Sequence, residues 1–299
     1  MSSIHSVIIH GGHAHKDEFL ALGIALSAEM IIGDTPVYRR DPTESELDDP
    51  SVLVLDVGRR YDHKTHNYDH HQLPAGTEEC AMSLLAKHVL LPHPQEHGLM
   101  GVTYHELFKE QPWYRATVIL DSRGPFELAK RIGIEKTPIE LLSPIEKSLF
   151  EYMEYWKDEH PVPLHILQTA RLVVNMRMEA AIKLRKRHQE LEETAKFISI
   201  KNLDKPEGGF SAIWFEGDDF GIQAFREMNN LNFVVSVFKA ERSPGWGLFR
   251  FDDDPRINFA QLDGDERVSF AHKGGFYAET HELLDREQII ELLSKAMTS

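Results

Sequence analysis

Asp69-His70-His71, between Tyr68 and Gln72, puts one carboxylate and two imidazoles in three successive residues. Imidazole nitrogens and carboxylate oxygens together are the donor set of a divalent-metal site. The polar segment before it, Arg59 to Asn67, adds His63 and His66. Two apolar runs end in further donors. Val52-Leu53-Val54-Leu55 leads into Asp56, and Ser6-Val7-Ile8-Ile9 leads into His10 and a glycine-bearing loop with His13, His15 and Asp17. An acid at the end of so apolar a run is costly to bury unless a cation or hydrogen-bond donors compensate it.

Each donor also has a plainer reading. Asp17 and Glu18 open an apolar-periodic helix, where acids are favoured by the helix dipole. For the 10–17 loop, metal site and helix cap are both open. Asp121 ends the apolar stripe of 113–124 just before Gly124 and, alone, reads as a solvated helix end. His88, His93, His97 and His105 lack partnered acids and read as ordinary residues. His272-Lys273-Gly274-Gly275-Phe276 is either a turn or a place where backbone amides approach an anion. Cys80 falls in a helical pattern and reads as a buried apolar side chain.

The elements that must carry these residues follow from periodicity. Strands are expected at 6–10 and 51–57, with an edge strand at 35–39, where Pro36 is tolerated. Helices are expected at 19–26, 78–90, 113–124 and 143–156, and from 164 to about 199. The segment 204–209, rich in glycine with a proline, breaks the chain before a second unit. That unit has strands at 210–215, 233–238 and 245–251, a helix near 221–230 and a last helix over 285–297. The basic run Lys183 to His188 is either a solvated helix face or a guide for a polyanion.

Composition bounds the function. The 299 residues include 41% hydrophobic and 27% charged residues, enough for a sizeable core in a globular protein. The net charge of −15 argues against broad coating of nucleic acid but not against a small phosphate substrate held by metal ions. The one cysteine excludes an internal disulfide. No apolar run approaches the roughly 20 residues that span a bilayer, and no secretory leader is visible. A cytoplasmic protein without membrane contact is expected.

In this order, His10-x4-His15-x-Asp17, Asp56-Val57-Gly58, Tyr68-Asp69-His70-His71-Gln72 and Asp121 resemble the Myg family of the DHH phosphoesterase superfamily. The stretch His272 to Phe276 resembles that family's C-terminal substrate motif. The resemblance covers nearly the whole chain; His13 and Lys16 depart from the usual pattern. It implies an α/β protein with a mostly parallel sheet in a DHH-type catalytic domain over 1–160. A helical connector over 161–204 and a smaller α/β substrate-binding domain over 205–299 would follow, the latter closing over the cleft. It implies a metal-dependent phosphodiesterase, a 3′-to-5′ exonuclease on RNA or short oligonucleotides. His10, His15 and Asp56 would bind one metal, and Asp17, Asp56, His70 and Asp121 a second, with Asp56 bridging. His71 would face the substrate phosphate and Asp69 would orient the histidines. His272, Lys273, Gly274 and Gly275 would hold the far end of the substrate, with Arg59, Arg60 and Arg123 as further phosphate partners. Mixed imidazole and carboxylate ligands suit two manganese ions ahead of magnesium. A hydrolase of a nucleotide or pyrophosphate and a non-catalytic, metal-stabilised binding protein are the alternatives; a homo-oligomer is compatible with each.

Overall fold

In the computed structural model, residues 4–133, 144–156, 160–201 and 209–298 are described. The chain forms two compact units, Met1–Ile182 and Lys183–Ser299. Their division falls inside one long helix, Leu164–Thr194. The break expected at 204–209 lies outside the described residues except for Gly209, as does Ser143.

The first unit begins with strand β1 (Ser6–Ile9), helix α1 (Lys16–Ser27), strand β2 (Val37–Arg39), the one-turn helix α2 (Glu44–Leu47) and strand β3 (Val52–Leu55). Two short strands follow, β4 (Tyr61–Asp62) and β5 (Asn67–Tyr68). The sheet order is β2-β1-β3-β5-β4. β1 pairs in parallel with β2 and β3, β3 pairs in parallel with β5, and β4 returns antiparallel. Val7, Ile8 and Ile9 and all of β3 are buried, the continuous apolar run that a parallel strand covered on both faces requires. β2 is an edge strand, and the Pro36 carbonyl before it accepts from the Val7 amide.

The helices that follow are α3 (Ala81–Ala86), α4 (Pro94–His97), α5 (Tyr104–Phe108), α6 (Pro112–Arg123), α7 (Pro125–Arg131), α8 (Pro144–Met153) and α9 (Leu164–Thr194). Val7, Ile9, Leu53 and Leu55 join residues of α1, α3 and the first half of α9 in the main core. Ile8, Val52 and Val54 face the other way, against Leu47 of α2 and Val57. At Gly23, α1 meets α9 so closely that a Cβ would lie 2.5 Å from the Ala170 carbonyl oxygen. The helix expected over 78–90 is confined to α3. Beyond it the chain turns extended, Leu91 N–H donates to the Val102 carbonyl, and His88 stacks on His63 with ring centroids 4.1 Å apart.

The second unit contains β6 (Lys196–Ile200), β7 (Phe210–Trp214), α10 (Ile222–Met228), β8 (Val235–Lys239), β9 (Trp246–Arg250), β10 (Val268–Ala271), β11 (Tyr277–Thr280) and α11 (Arg286–Lys295). Its sheet runs β10-β11-β9-β8-β7-β6 and is mixed: β7 and β8 are parallel, the other neighbours antiparallel. The helix expected to run to about 199 ends at Thr194, and 196–200 is a strand. The reason is a local period of two: Ile198 and Ile200 are buried between exposed Phe197 and Ser199. The basic run is not a uniform solvated face. Arg187 is buried, donates to the Phe220 and Asp218 carbonyls and pairs with Glu190 and Asp218. Among the described residues no helix is long and apolar enough to cross a membrane.

Candidate metal centre

The donors are gathered by the carboxyl ends of β1, β3 and β5. His10 follows β1, Asp56 follows β3, and Asp69-His70-His71 follows β5. β1 has β2 on one side and β3 on the other, so the strand order reverses between the loops that carry His10 and Asp56. Open α/β sheets form their sites at such a crevice. His15 caps α1, Asp17 lies in its first turn, and Asp121 reaches in from the last turn of α6.

Asp56 is the centre of the arrangement. It is fully buried and holds φ at 59°, a left-handed backbone that turns its carboxylate out of the strand. Donor atoms of His15, Asp17, Asp56 and Asp121 all lie within 4.8 Å of one another, and so do those of Asp56, His70 and His71. His70 Nε2 is 2.9 Å from Asp121 Oδ2 and 3.3 Å from Asp56 Oδ1, and His15 Nδ1 is 3.5 Å from Asp56 Oδ2. None of these short contacts is directed well enough to be a hydrogen bond. His15 Nδ1, Asp17 Oδ1, both Asp56 oxygens and Asp121 Oδ2 are buried with no hydrogen-bond partner. Buried polar atoms are almost always paired. Five buried orphan acceptors on residues whose donor atoms crowd within 4.8 Å are what a cation would satisfy, so the residues fit a divalent metal.

Electrostatics agree with a site built for positive charge. Burial, then the Asp56 and Asp121 carboxylates, push the Asp17 carboxyl well above its ordinary value. Burial works against the charged form of Asp56, but His15 and His70 outweigh it and bring the carboxyl down to about 2. Burial also lowers His70, yet contacts to Asp121 and Asp56 prevail and lift the imidazole to about 10. Metal binding displaces such protons, because the ligating forms are deprotonated.

The other expected site residues are placed as follows. Asp69, nearly fully buried, accepts from the Arg59 amide at 2.6 Å, the His71 amide at 2.9 Å and His71 Nδ1 at 2.7 Å. That bond occupies Nδ1, the ring nitrogen nearest Asp56 at 3.9 Å. With Nδ1 engaged by Asp69, His71 presents Nε2 to its surroundings. His10 stacks on His15 with centroids 5.5 Å apart, and its ring nitrogens fall outside both close-packed donor groups. It packs over Gly12, where a Cβ would lie 2.4 Å from His10 Cε1. His10, Asp56, Arg59, Asp69 and His71 line one pocket of about 400 Å³. His13 and Lys16 pair with Glu154 and Glu146.

In the second unit, His272 to Phe276 is the turn between β10 and β11. Gly274 N–H donates to His272 Nδ1 and Gly275 N–H to the His272 carbonyl, so both amides are engaged within the turn. Gly275 holds φ at 72°, and a Cβ there would meet Asn258 Oδ1 at 2.1 Å, which explains glycine at this position. His272 lines a pocket of about 360 Å³ with Phe270, Phe276 and Tyr277, and Lys273 is exposed. Of the arginines, Arg60 is paired with Asp48 and Glu44, and Arg123 reaches the Gly76 carbonyl.

Sequence reading missed two residues of the site's frame, Arg39 and Glu18. Both are fully buried and joined at 2.6 Å. Glu18 looks like any first-turn acid, and nothing in the edge strand marks Arg39 as inward-facing beyond its two-residue spacing from Val37.

Fold and site together define an α/β protein with a candidate metal centre at the carboxyl edge of its parallel strands. The model of the MYG1_exonuc family, described as an uncharacterised protein family (UPF0160), matches residues 6–80. That span is about a quarter of the chain and carries every first-unit donor named above except Asp121, so over these residues the chain is similar to the family. The family's name points to an exonuclease-like hydrolase. No curated protein and no solved structure matches the chain at a significant level.

Proposed function

We propose that this chain is a metal-dependent phosphodiesterase, a 3′-to-5′ exonuclease on RNA or short oligonucleotides. The observation that carries the reading is the set of five buried, unpartnered donor atoms around Asp56. Divalent cations in such a set would lower the pKa of a bound water and neutralise charge on phosphate oxygens. The chain's own residues do the rest. Asp56 belongs to both donor groups and would be shared between them. Asp69 fixes the His71 ring through Nδ1, so that Nε2 is left to hold or release a proton at the scissile phosphate. Arg59, exposed and lining the same pocket, would oppose a phosphate oxygen.

One observation favours a second reading. The pocket at Asp56 and His71, about 400 Å³, is sized for a nucleotide or pyrophosphate. A panel of labelled RNA and DNA oligonucleotides of graded length, mononucleotides and pyrophosphate, each with Mn²⁺, separates the two. Stepwise shortening from the 3′ end of RNA supports the exonuclease. Turnover of the small compounds alone supports the second reading, and no turnover of any substrate by a metal-loaded protein removes both.

A further inference from the structure

We propose that Arg39 is a positioning residue for the metal loop. From the inward side of β2, its guanidinium bridges two points of the 10–17 segment. Nη2 donates to the Gly12 carbonyl at 2.8 Å, and Nη1 to Glu18 Oε1 at 2.6 Å. The same Glu18 oxygen accepts from the His15 amide at 3.1 Å. One buried side chain thus ties the loop at Gly12, which sits under the His10 ring, and through Glu18 at His15. The register Ile9↔Arg39 sets this bridge beside the end of β1, where the loop begins.

Stability alone is a poor reason for the pair. Both side chains are fully buried, and Arg39 Nε and Glu18 Oε2 have no partner. Desolvating two charges costs about as much as their attraction returns, and apolar replacements of similar volume are often neutral or stabilising. What an apolar pair cannot supply is a planar fork with donors at a fixed separation, matched to a carbonyl and a carboxylate. Groups that orient ligands without touching the ion typically change metal affinity by about 10–100-fold when removed.

This inference rests on the reading of the Asp56 cluster as a metal site, and Mn²⁺ binding to the unaltered protein tests that reading by itself. The variants are Arg39→Met with Glu18→Leu, which removes both charges, and Arg39→Lys, which keeps the charge but loses the fork. Mn²⁺ affinity is measured by titration calorimetry and by the Mn²⁺ paramagnetic resonance signal, with circular dichroism reporting the fold. The expected result is cooperative folding with Mn²⁺ affinity about 10–100-fold weaker in the double variant, and a smaller loss for Arg39→Lys. Folded variants that bind Mn²⁺ within twofold of the parent overturn the proposal. Failure of both variants to fold overturns it too, because the pair would then serve the fold and not the loop.

Discussion

Asp56→Asn separates metal binding from folding more cleanly than any other change at the site. Asparagine keeps the shape and tolerates the left-handed backbone at φ 59°, which alanine would hold at greater cost. In the metal-free protein, two effects on Asp56 oppose each other. Each ionised carboxylate within 4.8 Å repels it by about 3 kcal/mol at an effective dielectric constant near 20. The imidazoles of His15 and His70, at 3.5 and 3.3 Å, attract it when protonated by about 5 kcal/mol each on the same scale. The attraction prevails, as the fall of the carboxyl to about 2 records, so removal of the charge should lower metal-free stability by about 2 kcal/mol at pH 7, or about 4–8 °C in Tm for a unit of 182 residues. The metal term behaves differently. At a Mn²⁺ concentration 100 times Kd, one ion stabilises the folded state by about 2.7 kcal/mol, a rise of about 5–11 °C in Tm. The variant lacks the carboxylate common to both donor groups and should show almost none of this rise. Differential scanning calorimetry of both proteins, with and without Mn²⁺, reads the two quantities together. A variant that keeps the full rise refutes the ligand assignment. A metal-free loss above about 5 kcal/mol would exceed what the imidazoles supply and show that the carboxylate is held by further protein contacts, contrary to its orphaned oxygens.

Three further outcomes are expected. His71→Ala should cut turnover by about 10²–10⁴-fold, the scale of a lost proton-transfer group, while Mn²⁺ affinity by calorimetry stays within threefold. Gly23→Ala should cost about 1–3 kcal/mol in denaturant melts through overpacking, because its Cβ meets the Ala170 carbonyl and Val174 at 2.5 Å; an unchanged midpoint would refute that contact. Glu46 accepts a two-pronged bond from Arg40, which, with its contacts to Thr43, lowers its carboxyl from 4.5 to about 2. A depressed folded value means stability that is full above about pH 4.5 and lost as pH falls toward about 2. The difference between parent and Glu46→Gln should be about 1 kcal/mol at pH 7, discounted for partial exposure, and should vanish near the acid end. A difference independent of pH would remove the ion pair as its cause.

The sequence by itself determined which residues stand at the ends of buried strands. Continuous apolar runs reveal β1 and β3, and a donor follows each directly in the chain, His10 after Ile9 and Asp56 after Leu55. Pro36 likewise marks the edge strand. The short strands β6, β10 and β11 are less legible, because four or five residues of mixed burial resemble the flank of a helix or a loop. Only the tertiary structure decided which donors meet. His15 joins Asp17, Asp56 and Asp121, while His10 stacks beside them. Asp121 ends a helix 65 residues beyond Asp56, and its approach depends on how α6 packs, which no local period records. The same holds for the Arg39–Glu18 pair and for the His63–His88 stack. Periodicity reports which side of an element is apolar. Sheet register and helix packing decide which polar side chains are then shut in together.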